Sequence, residues 1–233
     1  MLIFDLDGTL IDSRADLVRS VNAMLAHLGR APLPEAVVAD YVGDGAPLLV
    51  RRALGLAPAP DRRRRPAAMA APAEGLGAAE EALAERALAY FLAHYAEHKL
   101  DATRLYPGVA EGLAELAAAG RALAVLSNKP VRPSQQILAG LGVAERFRAV
   151  YGGNSFAQKK PDPIGVETLL RENGVGPEAA AMIGDSAVDV RTGRNAGTWT
   201  WGVTYGFAPA TLQWEPPDWT ADSFAELTAQ LLK

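Results

Sequence analysis

Two aspartates one residue apart, Asp5 and Asp7 in Asp5-Leu6-Asp7-Gly8-Thr9, are the first residues placed to do chemistry. They follow directly on a short apolar run, Leu2 to Phe4. Two acids at the end of a buried strand are unfavourable unless something positive lies between them. Gly8 lets the chain turn sharply there and brings backbone N–H groups close to a ligand. Three later segments supply complementary groups. Ser127-Asn128-Lys129 offers a hydroxyl, an amide and an ammonium. Lys159-Lys160-Pro161-Asp162-Pro163 offers a lysine in a rigid turn. Gly184-Asp185-Ser186 offers another acid, with Asp189 one helical turn further on. Carboxylates for a hard cation, a hydroxyl donor and a lysine together suit a phosphoryl group bound with Mg2+. Lys129 reads as a peripheral charge.

The elements that must position these residues are legible as short apolar runs. Leu2 to Phe4, Leu123 to Leu126, Ala149 to Tyr151, Ala180 to Ile183 and Trp199 to Val203 are too short for helices and do not alternate. Such runs fit strands buried on both faces. Amphipathic helical stretches lie between them, at Val109 to Ala119, Pro133 to Leu141, Pro163 to Asn173 and Val188 to Ala196. Strands alternating with helices predict an α/β fold, a doubly wound parallel sheet with a Rossmann-like core. Such sheets bind ligands at the carboxyl ends of their strands, where the four polar segments fall.

One stretch breaks the rhythm. From Ser13 to Leu100 only helical patterns occur, clearest at Asp16 to Leu28, Leu48 to Leu54 and Ala79 to His98. The expected organisation is an α/β catalytic core of residues 1–12 and 101–233, interrupted by a helical cap domain of residues 13–100. Within the cap, residues 57–77 are rich in Ala, Pro and Arg, with Arg62 to Arg65 in a row, and read as a mobile solvated loop. The sharper alternative for that arginine run is an anion-binding or partner-binding patch.

Composition narrows the function classes. The chain has 233 residues, 49% hydrophobic and 21% charged, with a net charge of -4 and no cysteine. Thiolate nucleophiles, disulfides and zinc-thiolate sites are therefore excluded. The charge gives no attraction to nucleic acid or acidic membranes, so neither is expected as a partner. No segment approaches the roughly 20 apolar residues of a membrane span, and acids at positions 5 and 7 interrupt any secretory pattern; a cytoplasmic location is expected. His27, His94 and His98 all lie in the helical stretch, away from the strand ends, which argues against a Ser-His-Asp triad. Trp199 and Trp201 read as packing residues.

DLDGTL, LSNKP, KKPDP and GDSAVD, in this order, resemble the four motifs of the haloacid dehalogenase superfamily, which also carries a helical cap after its first motif. Within it, VGDGAPLLVRRALG, YPGV, LSNKP and GVTYGF are similar to the phosphoglycolate phosphatase family. The resemblance implies a Mg2+-dependent phosphatase acting on a small phosphate ester, with 2-phosphoglycolate as the expected substrate. It implies Asp5 as nucleophile and Asp7 as acid and base. It implies metal ligation by Asp5, Asp185 and the backbone carbonyl of Asp7. Lys160 would neutralise the nucleophile and a phosphate oxygen; Ser127 and the Asn128 N–H would bind phosphate; Asp189 would position Lys160 or the metal's waters. In the cap, Gly43, Asp44 and Gly45 would approach the substrate, and Arg51 or Arg52 could bind a carboxylate. The competing reading of Gly43-Asp44-Gly45 is an interhelical turn with surface arginines. Two other functions stand beside the phosphatase. One is a sugar phosphomutase on the same scaffold, for which His98-Lys99 would be the cap pair. The other is a non-catalytic binding protein, which the intact acids disfavour.

Overall fold

The structure is a computed structural model and describes residues 1–60 and 77–233. The Arg62 to Arg65 run and most of the expected mobile loop lie outside the described residues. Two compact units are present, Met1–Asp12 with Arg104–Lys233, and Ser13–Thr103.

The first unit is built on six parallel strands: β1 (Leu2–Phe4), β4 (Leu123–Leu126), β5 (Ala149–Tyr151), β6 (Ala181–Gly184), β7 (Trp199–Val203) and β8 (Trp219–Ala221), in the order β5-β4-β1-β6-β7-β8. The strands in the middle of the sheet, β1, β4 and β6, are buried at every position. That explains their unbroken apolar runs. Helices α5 (Val109–Ala118), α6 (Val131–Gly140), α7 (Ile164–Asn173), α8 (Ala187–Asn195) and α9 (Phe224–Leu231) complete the unit. Ile3, Ala124 and Met182 pack with Val166, Leu169 and Leu170 of α7 on one face. Phe4 meets the ring of Phe224 from α9 at 5.9 Å. Gly112 of α5 makes room for that ring, since a Cβ there would sit 2.7 Å from it.

The sequence runs misplace little here but omit β8 and α9. β8 follows Pro216-Pro217, is exposed at two of its three positions, and carries no apolar run. Trp199, read as packing, is 49% exposed and meets the ring of Trp219 at 5.2 Å in a tilted arrangement; Trp201 is buried and stacks on the same Trp219. Trp219 lies on β8, an edge strand of the sheet, which demands less burial than a central one, and it is 42% exposed.

Two short antiparallel strands, β2 (Ile11–Asp12) and β3 (Arg104–Leu105), close the point where the chain leaves the first unit and returns. The second unit is helical: α1 (Arg14–His27), α2 (Glu35–Tyr41), α3 (Ala46–Ala53) and α4 (Ala78–His98). Leu17, Val21, Met24 and Leu25 of α1, and Ala84, Ala87, Phe91 and Tyr95 of α4, are buried at helical spacing. The short helix α2 escapes a periodic reading because only Val38 of its seven residues is buried. The Asp16 carboxylate accepts hydrogen bonds from the N–H groups of Ala102 and Thr103 and from the Thr103 hydroxyl, at 2.8–3.0 Å. These bonds hold residues 102 and 103 to the helical unit. Among the described residues no helix is long and apolar enough to cross a membrane.

Candidate active site

Strand register brings the polar segments together. Phe4 lies level with Val125 on one side and Ile183 on the other. The residues that follow, Asp5, Ser127 and Asp185, therefore emerge at one edge of the sheet. The chain goes from β1 to β4 on one side and from β6 to β7 on the other, so β1 and β6 flank the topological switch point, where open α/β sheets hold ligands.

Asp5, Lys160, Asp185 and Asp189 form one buried cluster at this edge. Lys160 Nζ donates to Asp189 Oδ1 at 2.6 Å and forms an ion pair with Asp5 Oδ1 at 2.8 Å. The second contact lacks hydrogen-bond alignment, so Asp5 Oδ1 remains a buried acceptor short of a donor. Asp189 is fixed by its other oxygen, which accepts from the N–H of Ser186 at 3.1 Å and its hydroxyl at 2.6 Å. This is a capping box at the start of α8. Gly184 leaves the space: a Cβ there would lie 2.1 Å from Asp189 Cγ. Asp185 Oδ2 accepts from the N–H groups of Phe207 and Ala208 at 2.6 and 2.9 Å, so the carboxylate can offer Oδ1 to a cation. Gly8, at φ +87°, and Gly206 both press against Asp185, and a Cβ on either would come within 2.5 Å of it.

The electrostatics show what the cluster lacks. Burial pushes the Asp5 carboxyl up to about 6, against the pull of Lys160. Burial pushes Asp185 up to about 7, with the charges of Asp189 and Asp5 adding to the rise. Burial alone would lower Lys160, but Asp189 and Asp5 outweigh it and raise its pKa, so it stays an ammonium. One ammonium thus faces three carboxylates. Oxygens of Asp5, Asp185 and Asp189 lie within 4.8 Å of one another. An all-oxygen set in which three carboxylates share one ammonium fits a hard divalent cation.

Ser127, Asn128 and Lys129 follow β4 and are all buried. Asn128 Nδ2 donates to the Lys160 carbonyl at 3.2 Å, which links the second and third segments. Lys160 is buried where Lys159 is exposed, so only the lysine next to Pro161 enters the cluster. Lys129 corrects the sequence reading: it is no peripheral charge but donates to both oxygens of Asp7 at 3.1 Å. Its position after Ser-Asn in the second segment was the available signal. The GVTYGF motif, whose residue types carry no obvious chemistry in the sequence, leads into the Tyr205 to Ala208 turn. Its amides hold Asp185, and the Tyr205 hydroxyl donates to the Thr9 carbonyl at 2.9 Å.

Gly43, Asp44 and Gly45 form the turn between α2 and α3 in the helical unit, with Gly43 and Gly45 at φ +124° and +91°. Arg52 pairs with Asp44 at 2.7 Å and donates to the carbonyls of Tyr41 and Pro58. Arg51 pairs with Glu81. His98 bonds Asp101 at 2.9 Å, the Lys99 ammonium donates to the Ala96 carbonyl, and His94 bonds Ser20 at 3.0 Å. His27 stacks on Tyr90.

A family model described as haloacid dehalogenase-like hydrolase matches residues 2–203. A phosphoglycolate phosphatase of Rhodospirillum rubrum is 41% identical over 89% of this chain and 80% of its own length. Another, of Colwellia psychrerythraea, is 36% identical over 99% of this chain and 96% of its own. The crystal structure of a predicted phosphoglycolate phosphatase from Haemophilus somnus superposes with a TM-score of 0.84 at 32% identity, covering 99% of this chain and 97% of the other.

Proposed function

The chain belongs to the haloacid dehalogenase-like hydrolase family, and on that premise we propose that it hydrolyses a small phosphate monoester in the cytoplasm, through a phosphorylated Asp5 and with Mg2+. The best-supported substrate is 2-phosphoglycolate, because the relatives described above carry that activity in their names. The observation that carries the chemistry is the buried cluster at the switch point, where Asp5 presents an oxygen short of a donor beside the Lys160 ammonium.

Asp5, Asp185 and the backbone carbonyl of Asp7 would hold Mg2+, which when bound shields the nucleophile from the negative charge of the phosphate. The remaining work belongs to the chain. An Asp5 carboxylate oxygen attacks phosphorus, the bond from phosphorus to the ester oxygen breaks, and Asp7 gives that oxygen a proton. Asp7 then takes a proton from water, which attacks the same phosphorus and releases Asp5 and inorganic phosphate. Lys160, held by Asp189, neutralises charge on Asp5 and on a phosphate oxygen. Ser127 and the Asn128 N–H bind the phosphoryl group.

In the helical unit, Gly43, Asp44 and Gly45 are proposed as substrate contacts through their backbone N–H groups. The two positive-φ glycines support this, and both nearby guanidinium groups are already engaged by Asp44 and Glu81. The test is kcat/KM with Mg2+ for 2-phosphoglycolate, glucose 6-phosphate, β-glucose 1-phosphate and a nucleoside monophosphate. Preference for a larger ester overturns the substrate assignment. Absence of phosphate release from every ester overturns the reaction.

A further inference from the structure

Two lysines reach the strand-end cluster, and only Lys160 has a place in the reaction above. The second, Lys129, is held at both ends. At its tip, Nζ bonds Oδ1 and Oδ2 of Asp7 at 3.1 Å each, and the two side chains are only 5% and 12% exposed. At its root, the Lys129 N–H donates to Ser127 Oγ at 3.3 Å and the Lys129 carbonyl accepts from the Gly153 N–H at 2.9 Å. The loop after β5 can lie this close because it is glycine. A Cβ on Gly152 would be 2.5 Å from the Lys129 carbonyl oxygen, and one on Gly153 would be 2.3 Å from that of Asn128.

A lysine is ordinarily a poor positioning group, since its stem carries about 2 kcal/mol of rotamer entropy. A pinned root and a buried stem remove that freedom before any substrate arrives. Asp7, by contrast, sits beside the sharp turn at Gly8, and its carboxylate can rotate about two side-chain bonds. We propose that Lys129 is a positioning residue that fixes the Asp7 carboxylate in the orientation needed to protonate the leaving oxygen. The proposal rests on the acid role given to Asp7 above. One Asp7 oxygen first leaves the ammonium and takes a proton from solvent. As the bond from phosphorus to the ester oxygen breaks, its electron pair goes to that oxygen, which receives this proton while the other Asp7 oxygen stays on the ammonium. Orientation of this kind accounts for orders of magnitude in rate.

An alkyl ester needs that proton, because an alkoxide is a poor leaving group; p-nitrophenyl phosphate does not. The experiment measures release of the alcohol or nitrophenol in a single turnover, so that the water step does not enter. It uses the full chain with Mg2+ and compares wild type, Lys129→Met, Asp7→Asn and the double variant. Lys129→Met is expected to slow release from 2-phosphoglycolate about 100-fold, and from p-nitrophenyl phosphate less than about fivefold, with half-saturating concentrations within about threefold of wild type. The double variant is expected to be no slower than Asp7→Asn. Lys129→Arg keeps the charge and the pair if the methionine variant does not fold; it is expected to lose about tenfold on the alkyl ester alone. Equal losses on both esters in a folded Lys129 variant, or additive losses in the double variant, overturn the proposal. If Asp7→Asn itself slows both esters equally, the acid role of Asp7 fails, and this proposal fails with it.

Discussion

Both units bury aspartates, and two of them, Asp16 in the helical unit and Asp185 in the sheet unit, are treated in opposite ways. Asp16 in the helical unit is surrounded by donors: two backbone N–H groups, the Thr103 hydroxyl and the Arg19 guanidinium. Asp185 in the sheet unit receives two backbone N–H groups on a single oxygen and has carboxylates as neighbours, so its pKa rises to about 7. A buried acid that only holds structure is given all the donors it needs. Asp185, proposed above as a metal ligand, is instead left short of positive charge, the pattern expected where stability is sacrificed for a binding site. The same contrast separates the arginines of the helical unit, spent on Asp44 and Glu81, from the Lys160 ammonium shared between Asp5 and Asp189.

The comparison is sharpened most by Asp5→Asn. It removes the proposed nucleophile and keeps the shape, so kcat is expected to fall at least about 1,000-fold with the fold retained. A variant keeping a tenth of wild-type kcat excludes Asp5 as nucleophile. Lys160→Ala is expected to cost about 100-fold in kcat/KM, against no more than about twofold for exposed Lys159→Ala. Equal losses would show that the motif is read in the wrong register.

The pair that tests the contrast directly is Asp16→Ala against Asp185→Asn. Asp16→Ala strands several buried donors and is expected to destabilise by about 3 kcal/mol, with kcat of the folded fraction close to wild type. Asp185→Asn is expected to raise Tm in EDTA while abolishing its rise on adding Mg2+. Thermal denaturation with and without metal measures both, and the comparison breaks if the two variants behave alike.

The smallest effect is in pH. The folded-state pKa values of Asp5 and Asp185 are raised from 3.8 to about 6 and about 7. Their contribution to stability is therefore present below pH 4 and lost as pH rises through 6 to 7. The metal-free protein should melt several degrees lower at pH 8 than at pH 5, and Mg2+ should recover more at pH 8, where both acids are ionised. A metal-free Tm that rises over this interval would contradict the charge deficit.

Much of this was open to inspection in the residues themselves. β1, β4, β5 and β7 fall on the apolar runs residue for residue; for β1 and β4 the reason is that strands enclosed on both faces must be apolar throughout. The polar segments that follow them had to lie at one edge, since the strands are parallel. What the residues did not reveal are elements held by little burial, such as α2 and β8, and partners distant in the chain. Lys129 looked peripheral because its neighbours in sequence say nothing of Asp7, 122 positions away. Nor could the sequence assign the Phe207 and Ala208 amides to Asp185. Periodicity and motif order are local properties, and they determined the α/β class, the helical insertion and the acids and lysine that enter the site. Which ammonium meets which carboxylate, and which buried acid is left without enough donors, was decided by strand register and loop packing, because Coulomb and hydrogen-bond terms depend on distances that only the tertiary structure sets.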